Sequence, residues 1–422
     1  MDSLKGRFVA FLRWTERYTK TDMVYLTKSS SWMNLNFVLL SIFSLLLSIG
    51  FANILSKQAY GTYQYILSIA AFFAALTFSG FNTAITESVA RGIEGIFRAS
   101  IRPQILWNLI PALGALVLSV YYFILGNTLL GFGTFLVAVT VPILNTFNAY
   151  TAYLFGKQDF KRASLYALCG NGMYYVLMFL TLAFYPSALL LIAVNLCITA
   201  AAAVFFYVRT IAIYHPPIKN DSSTVTYARH LSVINILTLI ANQVDNIFVF
   251  HFLGPVMLAQ YSLASLIPER IGGMFKSLTS SALPRFASRN LTQIRENMLV
   301  RLLLLLIGVL VIIVLYAAIA PFFFRVVYPE YAAAVPYSQM YALTIVGVVG
   351  GIVTSAFYAH RRVKELYILN TAVPLFQITV QVLAIILWGI WGLIVAKIIS
   401  SIVTSITSLL LLRRDAPLPP GN

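Results

Sequence analysis

The residues from Leu231 to Pro284 read LSVINILTLIANQVDNIFVFHFLGPVMLAQYSLASLIPERIGGMFKSLTSSALP. They divide into two apolar stretches around His251-Phe252-Leu253-Gly254-Pro255. Each stretch carries ionisable groups at depths that lipid would not tolerate: Asp245 in the first, and Glu269, Arg270 and Lys276 in the second. A carboxylate, Arg or Lys at mid-bilayer costs roughly 2.5–3.5 kcal/mol on insertion scales, so such groups face a bundle interior or a wet cavity. Helical spacing agrees. Asn235, Thr238, Asn242 and Asp245 fall on one helix face, and Ser262, Ser265, Glu269, Gly272, Lys276 and Ser280 form a second stripe. Two polar stripes on neighbouring spans predict a lined cavity, with Asn242, Gln243 and Asn246 offering amide groups beside Asp245.

Composition sets the class around this stretch. The chain is 60% hydrophobic and 10% charged, and apolar runs of about 20 residues, the length one crossing needs, recur throughout. This excludes a soluble enzyme and predicts an all-α polytopic membrane protein. Twelve spans are expected, at 32–53, 63–86, 104–125, 130–152, 163–184, 187–208, 231–253, 257–282, 302–323, 337–359, 366–387 and 389–412. With both termini cytoplasmic, 24 of the 29 Lys and Arg lie inside and only Lys57 and Arg325 lie in outside loops, as the positive-inside rule demands. The net charge of +16 therefore reflects topology, and no nucleic-acid partner is implied. No signal peptide is expected, because the basic first thirty residues lack an unbroken apolar core. Residues 1–31 read either as an interfacial amphipathic helix or as a basic tail.

The chain also repeats itself. Leu55-Ser56-Lys57-Gln58-Ala59-Tyr60-Gly61-Thr62-Tyr63, entering the second span, is echoed by Leu253-Gly254-Pro255 through Gln260-Tyr261 at an offset of 198 residues. Phe155-Gly156-Lys157 through Lys161 is echoed by Tyr358-Ala359-His360 through Lys364 at an offset of 203. Two six-helix lobes in parallel orientation follow, at 32–208 and 231–412. The Pro-containing segment 209–230 is expected to be a cytoplasmic linker, and 413–422 a cytoplasmic tail.

Further polar groups lie inside the predicted spans. Lys397 sits about 12 Å from the Trp388-Gly389-Ile390-Trp391-Gly392 turn, too deep for easy snorkelling. Asn370, Gln377 and Gln381 form a stripe suited to interhelical hydrogen bonds. Pro111, Pro142, Pro268 and Pro374 each remove a backbone donor, and Pro268 is expected to bend its helix just before Glu269-Arg270. Cys169 and Cys197 read as small packing residues. The sequence shows no phosphate-binding glycine loop and no His or Cys cluster of metal-ligand spacing. No metal site or cofactor is expected.

The Leu55–Tyr63 turn, the pattern L-[ST]-x-x-x-[YF]-G-x-[YF], together with Tyr328-Pro329-Glu330-Tyr331-Ala332-Ala333, resembles the polysaccharide transporter, or Wzx-type flippase, family of the multidrug/oligosaccharidyl-lipid/polysaccharide exporter superfamily. The resemblance covers residues from about 25 to 412; Pro329 stands where the family tends to have Gly. It implies a V-shaped, MATE-like pair of lobes working by alternating access, often with an H+ or Na+ gradient. It further implies a lipid-linked oligosaccharide substrate, flipped on its polyprenyl pyrophosphate across the bacterial inner membrane, with surrounding membrane lipids and a polysaccharide polymerase and chain-length regulator as partners. On that footing Arg270, Lys276 and Lys397 would meet the pyrophosphate, Asn242, Gln243 and Asn246 the sugar, and Asp245 or Glu269 a coupling ion. Three cations against two carboxylates give a slight positive balance. The competing reading is a MATE-type multidrug or cation antiporter, which would favour carboxylates inside.

Overall fold

The computed structural model describes residues 23–77, 80–217, 228, 232, 236–287, 291–359 and 362–413, with the side chains of 23–38, 276–301, 358–359, 363 and 413 outside the description. Residues 1–22 of the expected N-terminal segment, most of the linker and the tail from 414 onward therefore lie outside it. Every regular element among the described residues is helical. The first half comprises α1 (Met23–Ile54), α2 (Lys57–Ala75), α3 (Gly80–Ala90), α4 (Ile101–Ile124), α5 (Thr128–Phe147), α6 (Ala149–Gly156), α7 (Phe160–Phe184) and α8 (Ala188–Tyr214). The second comprises α9 (Val244–Leu253), α10 (Pro255–Ala287), α11 (Leu291–Val327), α12 (Val335–Tyr341), α13 (Val348–Ala359) and α14 (Val373–Arg413).

These helices overlap all twelve windows expected from hydropathy. Eight helical stretches among the described residues are by themselves long and apolar enough to cross a membrane, or nine when α2 and α3, bent by 55°, count as one. One of the eight, Lys364–Leu412, holds a reversal: Gly389 adopts φ 59°. A straight helix would hold residues eight apart about 12 Å from each other, yet a Cβ on Gly392 would stand 2.1 Å from the Ala384 carbonyl oxygen. The chain folds back there, and the left-handed φ is why glycine occupies the corner.

Helix starts follow from local chemistry. Ser56 Oγ accepts from Ala59 N at 3.2 Å and caps α2. Asn127 caps α5, and Asp159 caps α7 by accepting from Arg162 N. Each satisfies a donor that the first turn leaves open. Pro255 begins α10, where a missing N–H costs nothing. Pro268 lies within α10, which continues as one helix across it. Pro374 acts differently. It cannot donate to the Asn370 carbonyl, which accepts instead from Thr238 Oγ1 at 3.3 Å, tying the eleventh window to the seventh. Cys169 and Cys197 are free and exposed, so neither is the packing residue the sequence suggested.

The two repeated turns meet. α2 packs along α10 as the principal seam between the halves. Gly61 lies so close to Pro255 that a Cβ would stand 1.8 Å from the Pro255 carbonyl oxygen. Around it Tyr65 stacks on Phe250 with centroids 3.8 Å apart, Ser48 Oγ bonds Tyr328 OH at 2.7 Å, and Asn53 Nδ2 donates to Val327 O at 3.2 Å. At the far end of the bent second span, Gly80 N donates to Ser232 Oγ at 3.0 Å. Large apolar side chains such as Ile124, Phe322 and Leu106 point outward, a face that suits lipid.

Among the ion pairs of the first half, the one at Glu94 joins segments distant in sequence. Glu94 pairs with Lys157 and accepts from Tyr153 OH at 2.6 Å. The Lys157 and Tyr153 hydrogen bonds hold its carboxyl below the usual carboxylate range. A depressed acid pKa contributes stability above the unfolded value and loses it as pH falls through the folded one. Glu94→Gln is expected to leave stability at neutral pH within about 1 kcal/mol, because the pair is partly exposed. It should also flatten the decline below about pH 4.5, the ordinary value of this group. Unfolding midpoints of purified protein across an acid series check this; an unchanged decline would contradict it.

Candidate transport cavity

A break in the seventh window places the key residues. Its helix halts at Asn242-Gln243 and restarts at Val244, with Gln243 N bonded to Ile240 O at 2.9 Å. Asp245 thus lies in the first turn of α9, where the helix's partial positive charge favours a carboxylate. It is 2% exposed. Its Oδ2 accepts from Lys397 Nζ, at the middle of the second arm of α14, and from Tyr261 OH at 2.7 Å. Lys397 Nζ also donates to Tyr341 OH at 2.8 Å and lies 5.1 and 5.8 Å from the Tyr341 and Tyr261 ring centroids. Tyr341 OH in turn donates to Glu269 Oε1 at 2.7 Å. A continuous chain therefore runs from the exposed Glu269 through Tyr341 and Lys397 to the buried Asp245 and Tyr261.

Beside this chain opens a cavity of about 560 Å³. Its polar wall includes Asn242, Gln243, Glu269, Gln377, Lys397 and Ser401. Gly272, Gly273 and Gly351 also line it, and a Cβ added at any of the three would meet nothing within 4 Å. All lining residues come from the second half, where the two polar stripes of the sequence placed a cavity.

The predicted site residues separate accordingly. Asn242, Gln243, Glu269 and Lys397 line the cavity, and Asp245 lies beneath it, paired with Lys397. Asn246 is partly buried on α9 and is not part of the lining. Arg270 turns away, donating to Ser44 Oγ on α1 at 2.7 Å, and so reaches across to the first half. The side chain of Lys276 lies outside the described residues. Among described side chains the cavity and its floor hold two carboxylates and one ammonium, a different balance from the sequence tally.

Sequence reasoning missed Tyr341 and Tyr261 as members of the site. A signal existed for Tyr261, because it is the repeat partner of Tyr63. Both are buried, but Tyr63 OH accepts from the neutral Asn195 Nδ2 at 2.8 Å while Tyr261 OH donates to Asp245. Equivalent positions thus support a neutral network in one half and a charged one in the other. No spacing rule marked Tyr341, which reaches the site only by tertiary packing.

A family profile described as polysaccharide biosynthesis protein matches residues 26–289. The chain belongs to that family. No curated protein matches the chain at a significant level. Among solved structures, an inward-facing multidrug resistance MATE transporter of the MOP superfamily is similar with TM-score 0.66 at 15% identity, covering 89% of this chain and 94% of that one. The lipid II flippase MurJ in an inward closed conformation gives TM-score 0.63 at 13% identity, covering 90% and 87%. A MOP superfamily transporter from Pyrococcus furiosus, described for the reverse polarity of its binding pocket, gives 0.61 at 14%, covering 93% and 96%. At these identities the likeness shows the fold: the polysaccharide biosynthesis chain has the helical architecture shared by MATE transporters and MurJ. Those neighbours are described as transporters and a flippase, and the repeated long apolar helices make this chain a multi-pass membrane protein.

Proposed function

We propose that this polysaccharide biosynthesis protein flips a polyprenyl-pyrophosphate-linked oligosaccharide across the bacterial inner membrane, with both termini cytoplasmic and two six-span lobes working by alternating access. The observation that carries the reading is the second-lobe cavity, whose amides and hydroxyls suit a sugar and whose cation suits a phosphate. Asn242 and Gln243 contact the sugar, with Asn246 one turn further along. Arg270, placed between the lobes by its bond to Ser44, meets the pyrophosphate with Lys276 and Lys397. Glu269, the exposed carboxylate of the chain, takes up the coupling ion, with Asp245 behind it. Transport requires the Gly61–Pro255 seam and the Gly80–Ser232 contact to part in turn.

A strain lacking the protein should accumulate lipid-linked repeat units and lose surface glycan, and the intact gene should restore both. Glycan loss without accumulation of the lipid-linked unit would sink the reading. A finer test fills the cavity. Gly272→Leu should abolish complementation while the protein remains at normal level and unfolding temperature, because its added carbons enter open space. Full activity of that variant would show that substrate does not use this cavity.

A second reading has one observation in its favour: two carboxylates against one ammonium among the described groups of the cavity suit a MATE-type exporter of organic cations. Altered tolerance to cationic dyes in the deletion strain, with unchanged surface glycan, would select it.

A further inference from the structure

A buried carboxylate has to be neutralised, and three partners can do this: a proton, a free metal cation or a basic side chain. At Asp245 the third has been chosen. Around the Lys397 ammonium stand Asp245 Oδ2, Tyr341 OH and the faces of two tyrosine rings, with Tyr261 OH completing the Asp245 contacts. Oxygen capacity is nevertheless left over. Asp245 Oδ1 is buried without a hydrogen-bond partner, and so are both amide atoms of Gln381, a residue with 0% exposure. Gln381 lies on a helix tied to the segment that leads into Asp245. Thr238 bonds the Asn370 carbonyl and Gln377 Nε2 bonds Ala241 O at 3.0 Å, so the two helices run parallel. Asp245 follows Ala241 across the break at Asn242-Gln243, and Gln381 follows Gln377 by one helical turn. A carboxylate and two phenolic hydroxyls, with one carboxylate oxygen still unpartnered, form the hard, oxygen-only set that suits an alkali cation.

We propose that the Asp245 centre is a monovalent-cation site which the chain fills with its own Lys397 ammonium. The tethered charge excludes sodium by occupying its place and by repulsion. No free sodium ion then drives movement of this lobe from Asp245, and Glu269 is left as the carboxylate open to a coupling proton. The last consequence rests on the flippase reading. The site itself does not, and it is tested by a measurement in which no glycan takes part.

Thermal unfolding of the purified full-length protein in detergent would be compared in sodium chloride and choline chloride at equal ionic strength. Wild type should show the same midpoint in both salts. Lys397→Gln should gain a sodium-specific rise of about 2 °C or more, and Asp245→Asn added to it should remove that gain. A sodium-specific rise in wild type that Asp245→Asn abolishes would overturn the proposal. So would a folded Lys397→Gln protein indifferent to sodium, or a Lys397→Gln protein that folds in neither salt, since sodium must be able to stand in for the ammonium.

Discussion

Asp245→Asn is expected to destabilise the protein by about 3–5 kcal/mol, the cost of removing one member of a buried ion pair. The substitution is nearly isosteric, so little packing is lost. What remains is a largely buried ammonium on Lys397, its side chain 13% exposed, beside the Tyr341 hydroxyl and the rings of Tyr341 and Tyr261. An amide oxygen can still accept from Lys397 or Tyr261, which recovers part of a hydrogen bond but none of the charge. Asp245→Asn combined with Lys397→Met should recover most of the loss, because replacing both partners removes the stranded charge. Chemical unfolding of the solubilised proteins reads both values. If the double variant is as unstable as the sum of its two singles, the groups act independently and the pair has been misjudged.

The second large effect concerns the seam. In Gly61→Ala the new methyl would stand 1.8 Å from the Pro255 oxygen and 2.5 Å from its carbonyl carbon. These are backbone atoms, so no rotamer change relieves the clash, and α2 must move away from α10 by more than an ångström. Overpacking of this kind costs about 1–3 kcal/mol when side chains can adjust, and here the cost should reach the upper end. Because α2 and α10 form the main contact between halves, the damage should appear first as lost complementation of surface glycan. The Tyr65–Phe250 stack supplies a direct readout: cysteines at these two positions should cross-link in the parent protein and poorly when Gly61→Ala is added. Gly308→Ala is the control. It lies within α11 with nothing within 4 Å of a new Cβ, and it should be neutral or slightly stabilising. Equal effects from both substitutions would mean that close approach at Gly61 is not what matters.

The all-helical membrane class was legible before any coordinates. Apolar run length is a local property of the chain, and in lipid a run of about 20 apolar residues satisfies its own backbone only as a helix. The depth of Asp245, Glu269 and Lys397 was likewise a matter of counting residues from a turn. Which of these charges face each other was not. Asp245 and Lys397 are 152 residues apart, and helical spacing fixes the face a residue occupies on its own helix without fixing the helix that face meets. Arg270 illustrates this, being adjacent to Glu269 in sequence yet committed to Ser44 in the other half.

By itself the sequence determined an all-helical membrane protein with ionised groups too deep to face lipid. Tertiary structure alone decided that Lys397 neutralises Asp245, that Tyr341 joins this pair to Glu269, and that Arg270 reaches Ser44 on α1. The reason is range. Hydropathy and periodicity act over one helix turn or one span, whereas partners for a buried charge are chosen by packing between helices whose contacts no local pattern encodes.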